Sequence, residues 1–87
     1  MIRINVEVTV HGGLHARPAS VLVHLLNQHQ SSVKMIYNGK EANGKSILSV
    51  MALGVKTGDE ITFEVDGSDE QEAASCIQKL FERDFSV

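Results

Sequence analysis

Ile2-Arg3-Ile4-Asn5-Val6-Glu7-Val8-Thr9-Val10 opens the chain with apolar and polar residues in strict alternation. Successive side chains of a β-strand point to opposite faces, so the pattern describes a strand with one buried and one wet face. A sheet with a wet face is antiparallel, and its helices gather on the other side. Gly12-Gly13 ends the run, and a helix is expected from Ala16 to Gln28, with Ala19, Leu22, Val23 and Leu26 as its apolar stripe. Pro18 is tolerated only in a first turn, which puts the helix start near Ala16. The residue before a proline resists helical geometry, so Arg17 is expected in an irregular first turn.

The rest of the chain repeats these two periods. Ser32 to Tyr37 is rich in β-formers and reads as a second strand, with Met35 and Tyr37 in its core or at its edge. Asn38-Gly39 signals a hairpin turn, because both central positions need positive φ, and Lys40 to Asn43 becomes a third strand. Ser46 is placed to cap a short helix, Ile47 to Leu53, which Gly54 closes. Thr57-Gly58-Asp59 reads as a turn. Glu60 to Asp66 is a fourth strand, with Ile61, Phe63 and Val65 inward. Ser68 with Gln71 has capping-box spacing. A last helix is expected to run to about Asp84, with Ala73, Ile77, Leu80 and Phe81 inward. The order β-α-β-β-α-β-α predicts an α+β open-faced β-sandwich: a four-stranded antiparallel sheet covered on one face by three helices.

The 87 residues suffice for one domain, 1–87, and leave none for a second lobe. A domain of this size buries only ~60–65% of its unfolded surface, so its chemistry is expected on the outside. The net charge is −3 and basic residues are scattered, which gives no nucleic-acid footprint. Cys76 is the sole cysteine, which excludes an internal disulfide, fits a reducing cytoplasm and reads as a packing residue of the last helix. The alternating start resembles neither a signal peptide nor a membrane span.

His15 decides the chemistry. It stands where a glycine loop becomes a helix, where free backbone N–H groups and the helix dipole favour anions. An imidazole there can take a phosphoryl group while the N–H groups of Ala16 and Arg17 hold its oxygens; Pro18 has no N–H to give. Arg17 adds a planar, permanently charged donor suited to phosphate. A bland alternative fits the same residues, a surface histidine at a helix start with no chemistry.

Other motifs weigh less. Gly39-Lys40-Glu41-Ala42-Asn43-Gly44-Lys45-Ser46 matches the phosphate-loop expression G-x-x-x-x-G-K-[ST] and suggests a small nucleotide-binding domain. Its context argues against that, since the first glycine belongs to a hairpin turn and the chain is too short for a parallel βαβ sheet. His24 and His29 do not share a helix face, and His29 reads as a residue favouring the helix C-terminus. His11 and His15 are separated by glycines, so no metal site is expected. Ser46, on spacing alone, is a cap.

Gly13-Leu14-His15-Ala16-Arg17-Pro18-Ala19, together with Lys45-Ser46-Ile47 and Val50-Met51-Ala52-Leu53-Gly54, closely resembles the HPr family. These are the histidine phosphocarriers of the bacterial phosphoenolpyruvate-dependent sugar phosphotransferase system. The resemblance covers the whole chain in length and element order. It implies that His15 accepts a phosphoryl group on Nδ1 from phosphorylated Enzyme I and passes it to sugar-specific Enzyme IIA domains, with Arg17 steadying the phosphate. It implies that Ser46 is the serine modified by an HPr kinase/phosphorylase in many Gram-positive members, where a catabolite-control transcription factor is a further partner. Ile47, Leu48 and Met51 match an apolar docking patch beside the active histidine. The resemblance implies a cytoplasmic stoichiometric carrier, not a turnover enzyme, with no resident cofactor. Paralogous carriers in nitrogen regulation share the His15 motif and are a second reading. One departure is Gly12, where many members have Ser or Asn; any loop contact to phosphate here must come from backbone.

Overall fold

The computed structural model describes residues 1–85. The elements follow in the expected order: β1 (Ile2–Glu7), α1 (Ala16–Asn27), β2 (Ser32–Tyr37), β3 (Lys40–Asn43), α2 (Ile47–Ala52), β4 (Glu60–Asp66) and α3 (Glu70–Glu82). The strands form one sheet in the order β1-β4-β2-β3, antiparallel throughout. Ile2 faces Val65, Ile4 faces Phe63 and Val6 faces Ile61 across the β1–β4 ladder. Alternation thus puts the apolar residues of both strands on one side. Beneath the helices Phe63, Leu22, Leu26, Met35, Ile61 and Ile77 are fully buried. The wet face is laced by polar cross-strand pairs, Arg3 to Glu64 and Thr62 to Asn5.

The Asn38-Gly39 turn has both φ angles positive, 50° and 78°. This is the geometry that matches the twist of a two-residue hairpin. Ser46 caps α2: its hydroxyl accepts from the Ser49 N–H at 3.3 Å.

Four expectations need correction. The β1 ladder ends at Glu7 opposite Glu60, not at Val10. Beyond it the chain is held singly, Val8 N–H donating to the Asp59 carbonyl and Gly58 N–H to the Val8 carbonyl. Arg17 is helical, not irregular: α1 begins at Ala16 and the Ala19 N–H reaches the His15 carbonyl at 3.0 Å. Proline's steric demand is met because this is the first turn. The Ser68–Gln71 capping box does not form; Glu70 instead reaches back to the Gly67 N–H, and Asp69 is the N-cap residue of α3. Finally α3 ends at Glu82, because Asp84 and Phe85 turn left-handed with φ 50° and 63°. The Phe85 N–H then closes on the Leu80 carbonyl, a reverse turn that satisfies the helix end.

Asp69 turns its carboxylate away from its own helix. It accepts from the N–H groups of Gln30 and Ser31 and from the Ser31 hydroxyl, tying the α1–β2 loop to α3. Those bonds, the Ser31 hydroxyl foremost, hold its pKa down to about 2.

Candidate functional site

The loop between β1 and α1 is held from across the molecule. Gly13 N–H donates to the Val10 carbonyl at 3.0 Å and to Thr57 Oγ1 at 3.1 Å, while the Thr57 hydroxyl donates to the same Val10 carbonyl at 2.8 Å. Leu14 is buried, and its N–H donates to the Val55 carbonyl. Gly13 has φ 70°, and a Cβ there would lie 2.4 Å from the Val55 oxygen, so the close approach of the two segments requires glycine.

The tethered loop delivers His15 to the N-cap of α1. Its backbone is extended, φ −76° and ψ −173°, and its side chain makes no capping bond. His15, Ala16 and Arg17 are all exposed. The Ala16 and Arg17 N–H groups have no acceptor among the described residues, and Pro18 has no N–H. The Arg17 guanidinium makes no ion pair or hydrogen bond with any described residue. An exposed imidazole therefore stands beside two backbone donors and one guanidinium that have no partner among the described residues. That arrangement suits a tetrahedral anion bonded to the ring.

A shallow depression of about 300 Å³ opens next to these groups, lined by Val10, His15, Arg17, Pro18, Val21, Asp84 and Phe85. Phe85 is set by an edge-on contact with Phe81, ring centroids 4.9 Å apart, and the Asp84 carboxylate accepts from the Thr9 hydroxyl. Sequence reasoning missed Thr57, Asp84 and Phe85. Thr57 carried only a turn signal, and the chain end carried none.

The second predicted segment lies on α2, which packs on α1. Leu48 is 78% exposed and Met51 40%, whereas Ile47 is half-buried against the core. Asn27 of α1 donates to the Val23 and Lys45 carbonyls, so it clasps the residue before Ser46. The Lys45 ammonium donates to the His29 carbonyl at 2.7 Å. These facts remove the phosphate-loop reading. Gly39 is spent in the hairpin, Lys40 to Asn43 is strand β3, and Lys45 is engaged at the end of α1. His29 is buried there, its Nδ1 3.1 Å from the Leu25 carbonyl. His24 pairs with Gln28, and no group of three or more His, Cys, Asp or Glu could hold a metal ion among the described residues. Among them, too, no helix is long and apolar enough to cross a membrane.

Comparison with known proteins agrees with this geometry. A family model described as the PTS HPr component phosphorylation site matches residues 2–83. The phosphocarrier protein HPr of Mycoplasma capricolum is 43% identical over 79 residues, covering 91% of this chain and 89% of the relative. That of Mycoplasma pneumoniae is 40% identical over 84 residues, covering 95% and 96%. The crystal structure of HPr-C-His from Thermoanaerobacter tengcongensis superposes with a TM-score of 0.95 at 34% identity, covering 98% of this chain and 96% of that one. With the same element order, the same open-faced sheet and a family match across nearly its whole length, the chain belongs to the HPr family of phosphocarrier proteins of the phosphotransferase system.

Proposed function

We propose that this chain is a cytoplasmic, single-domain phosphocarrier that takes a phosphoryl group on His15 Nδ1 from phosphorylated Enzyme I. It gives that group to Enzyme IIA domains in sugar uptake, and it is consumed and regenerated stoichiometrically without turning over a substrate of its own. The observation that carries this reading is the trio at the start of α1: an exposed imidazole, the N–H groups of Ala16 and Arg17, and the Arg17 guanidinium, none of these donors partnered among the described residues. In the transfer the lone pair of neutral Nδ1 attacks phosphorus in line. The bond from phosphorus to the donor atom breaks, and its electron pair leaves with the donor. Charge on the phosphoryl oxygens is met by the Arg17 guanidinium and by the two N–H groups, which the helix start already holds in place. An exposed site suits this step, since two proteins must bring their reacting atoms into contact.

Ile47, Leu48 and Met51 serve as the docking patch in this account, because the exposed Leu48 and Met51, with the half-buried Ile47 beside them, cluster apolar surface on one short helix, and such clusters mark an interface. Ser46 is the regulatory position, modified by an HPr kinase/phosphorylase. A phosphate there adds about −1.5 to −2 charge beside that patch, and docking would have to desolvate it. The test is a relay. The chain is incubated with phosphoenolpyruvate, catalytic Enzyme I and an Enzyme IIA domain, and labelled phosphate is followed. Label is expected on this chain first and then on Enzyme IIA. Label reaching Enzyme IIA equally fast without this chain would contradict the carrier role.

A further inference from the structure

We propose that Thr57 is a positioning residue for the phosphoryl transfer. Its hydroxyl clasps both ends of the turn that leads into His15 and fixes that turn against the body of the protein. The inference rests on the reading of His15 as the phosphoryl acceptor. Val10 to Gly13 form a turn closed by its own bond, Gly13 N–H to the Val10 carbonyl at 3.0 Å. The Thr57 hydroxyl sits at the mouth of that turn, accepting from the same N–H at 3.1 Å and donating to the same carbonyl at 2.8 Å. It acts at once as acceptor and donor, which an aliphatic side chain of the same shape cannot do.

Thr57 itself stands on a fixed support. Its own turn is closed by Asp59 N–H donating to the Lys56 carbonyl at 3.1 Å. Asp59 Oδ2 accepts from the Lys56 N–H at 2.9 Å and from the Tyr37 hydroxyl at 2.6 Å. Gly58 N–H and the Asp59 carbonyl both pair with Val8. A line of contacts thus runs from β2 at Tyr37 through Asp59 and Thr57 to the turn before His15. The His15 side chain makes no capping bond, so its place follows the backbone that carries it. Without the hydroxyl the turn would keep its Val10–Gly13 bond and lose its tie to the 56–59 turn. That loss costs little stability, because Thr57 is exposed and water replaces the bonds. It costs transfer, because a misplacement of ~1 Å can lower a rate ~10²-fold.

The experiment compares Thr57→Val, Thr57→Ala and Thr57→Ser with Thr62→Val. The first two remove the hydroxyl, and Thr57→Ala stands in if Thr57→Val does not fold. Thr57→Ser keeps the hydroxyl. Thr62→Val makes the same chemical change on the open sheet face, where the Thr62 hydroxyl donates to Asn5 Oδ1. Initial rates of Enzyme I-dependent phosphorylation are measured with this chain as the varied substrate, alongside thermal melts and the exchange rate of the Gly13 amide proton. Thr57→Val and Thr57→Ala are expected to lower kcat about tenfold and leave KM near wild type, since the α2 patch is untouched. Their Gly13 proton should exchange faster, and their melts should stay close to that of Thr62→Val. Thr57→Ser should recover most of the rate. Rates for Thr57→Val and Thr57→Ala equal to that of Thr62→Val, a loss confined to KM, or a Thr57→Ser as slow as Thr57→Val would overturn this role alone. Failure of wild type to take a phosphoryl group at His15 would overturn the carrier reading and this role with it.

Discussion

Arg17 separates chemistry from stability. Its guanidinium is exposed and touches no described charge, so the fold gains little from it. In the transfer we propose, it would face the phosphoryl oxygens, and removing one charge-stabilising donor of this kind costs ~10²-fold in rate. Arg17→Ala is therefore expected to slow Enzyme I-dependent phosphorylation by about that factor and to leave the thermal midpoint almost unchanged. Equal rates for the two proteins would remove Arg17 from the site. His15 and Arg17 could be proposed from the sequence because the candidate site is local, a loop, a cap and a first turn within a few residues. Thr57 and Asp84 could not, because they reach the same loop from distant parts of the chain. Periodicity says which face of an element is buried but not which remote side chain arrives there.

At the scale of elements, Ser46 at the start of α2 has one role that the structure shows, the cap, and one that we propose, regulation. Its hydroxyl caps the helix by accepting from Ser49 N–H, a contact worth ~1 kcal/mol when a capping side chain is lost to alanine. Ser46→Ala should lower the melting temperature and leave phosphorylation at His15 near wild type. Ser46→Asp keeps a capping oxygen and adds charge beside Leu48, so it should melt near wild type yet accept the phosphoryl group more slowly. Equal transfer rates for the two variants would reduce Ser46 to a cap. The junction of α1, β2 and α3 depends on Asp69. Its folded pKa of about 2 lies below the ordinary 3.8. The stability it contributes is therefore present above pH 3.8 and is lost as pH falls from there through about 2. Thermal melts should show Asp69→Ala well below wild type at pH 7, with the gap closing across that window. A gap independent of pH would mean that the carboxylate's charge is not what the Gln30 and Ser31 donors hold. This junction was misread in the sequence: Ser68 looked like the cap, while Asp69 spends its side chain on another element and Glu70 answers Gly67 instead.

For the molecule as a whole, the strict alternation of β1 and β4 was enough to imply a sheet open on one side, and the helices do lie on the other. The strand order β1-β4-β2-β3 was not legible, because alternation fixes a face and leaves the pairing partner open. That order sets β1 at an edge beside β4, so the β1–α1 loop runs past the segment leading into β4 and is gripped by Val55 and Thr57. The fold in this way anchors the backbone that carries an exposed histidine without enclosing its side chain. The central claim, that this histidine carries the phosphoryl group, is tested most directly by intact mass. Wild type and His15→Ala are each incubated with phosphoenolpyruvate and Enzyme I, then measured at neutral pH and after brief acid treatment. Wild type should gain the mass of one phosphoryl group and lose it in acid, as a phosphoramidate does, while His15→Ala gains nothing. A mass gain on His15→Ala, or an acid-stable gain on wild type, would contradict the account.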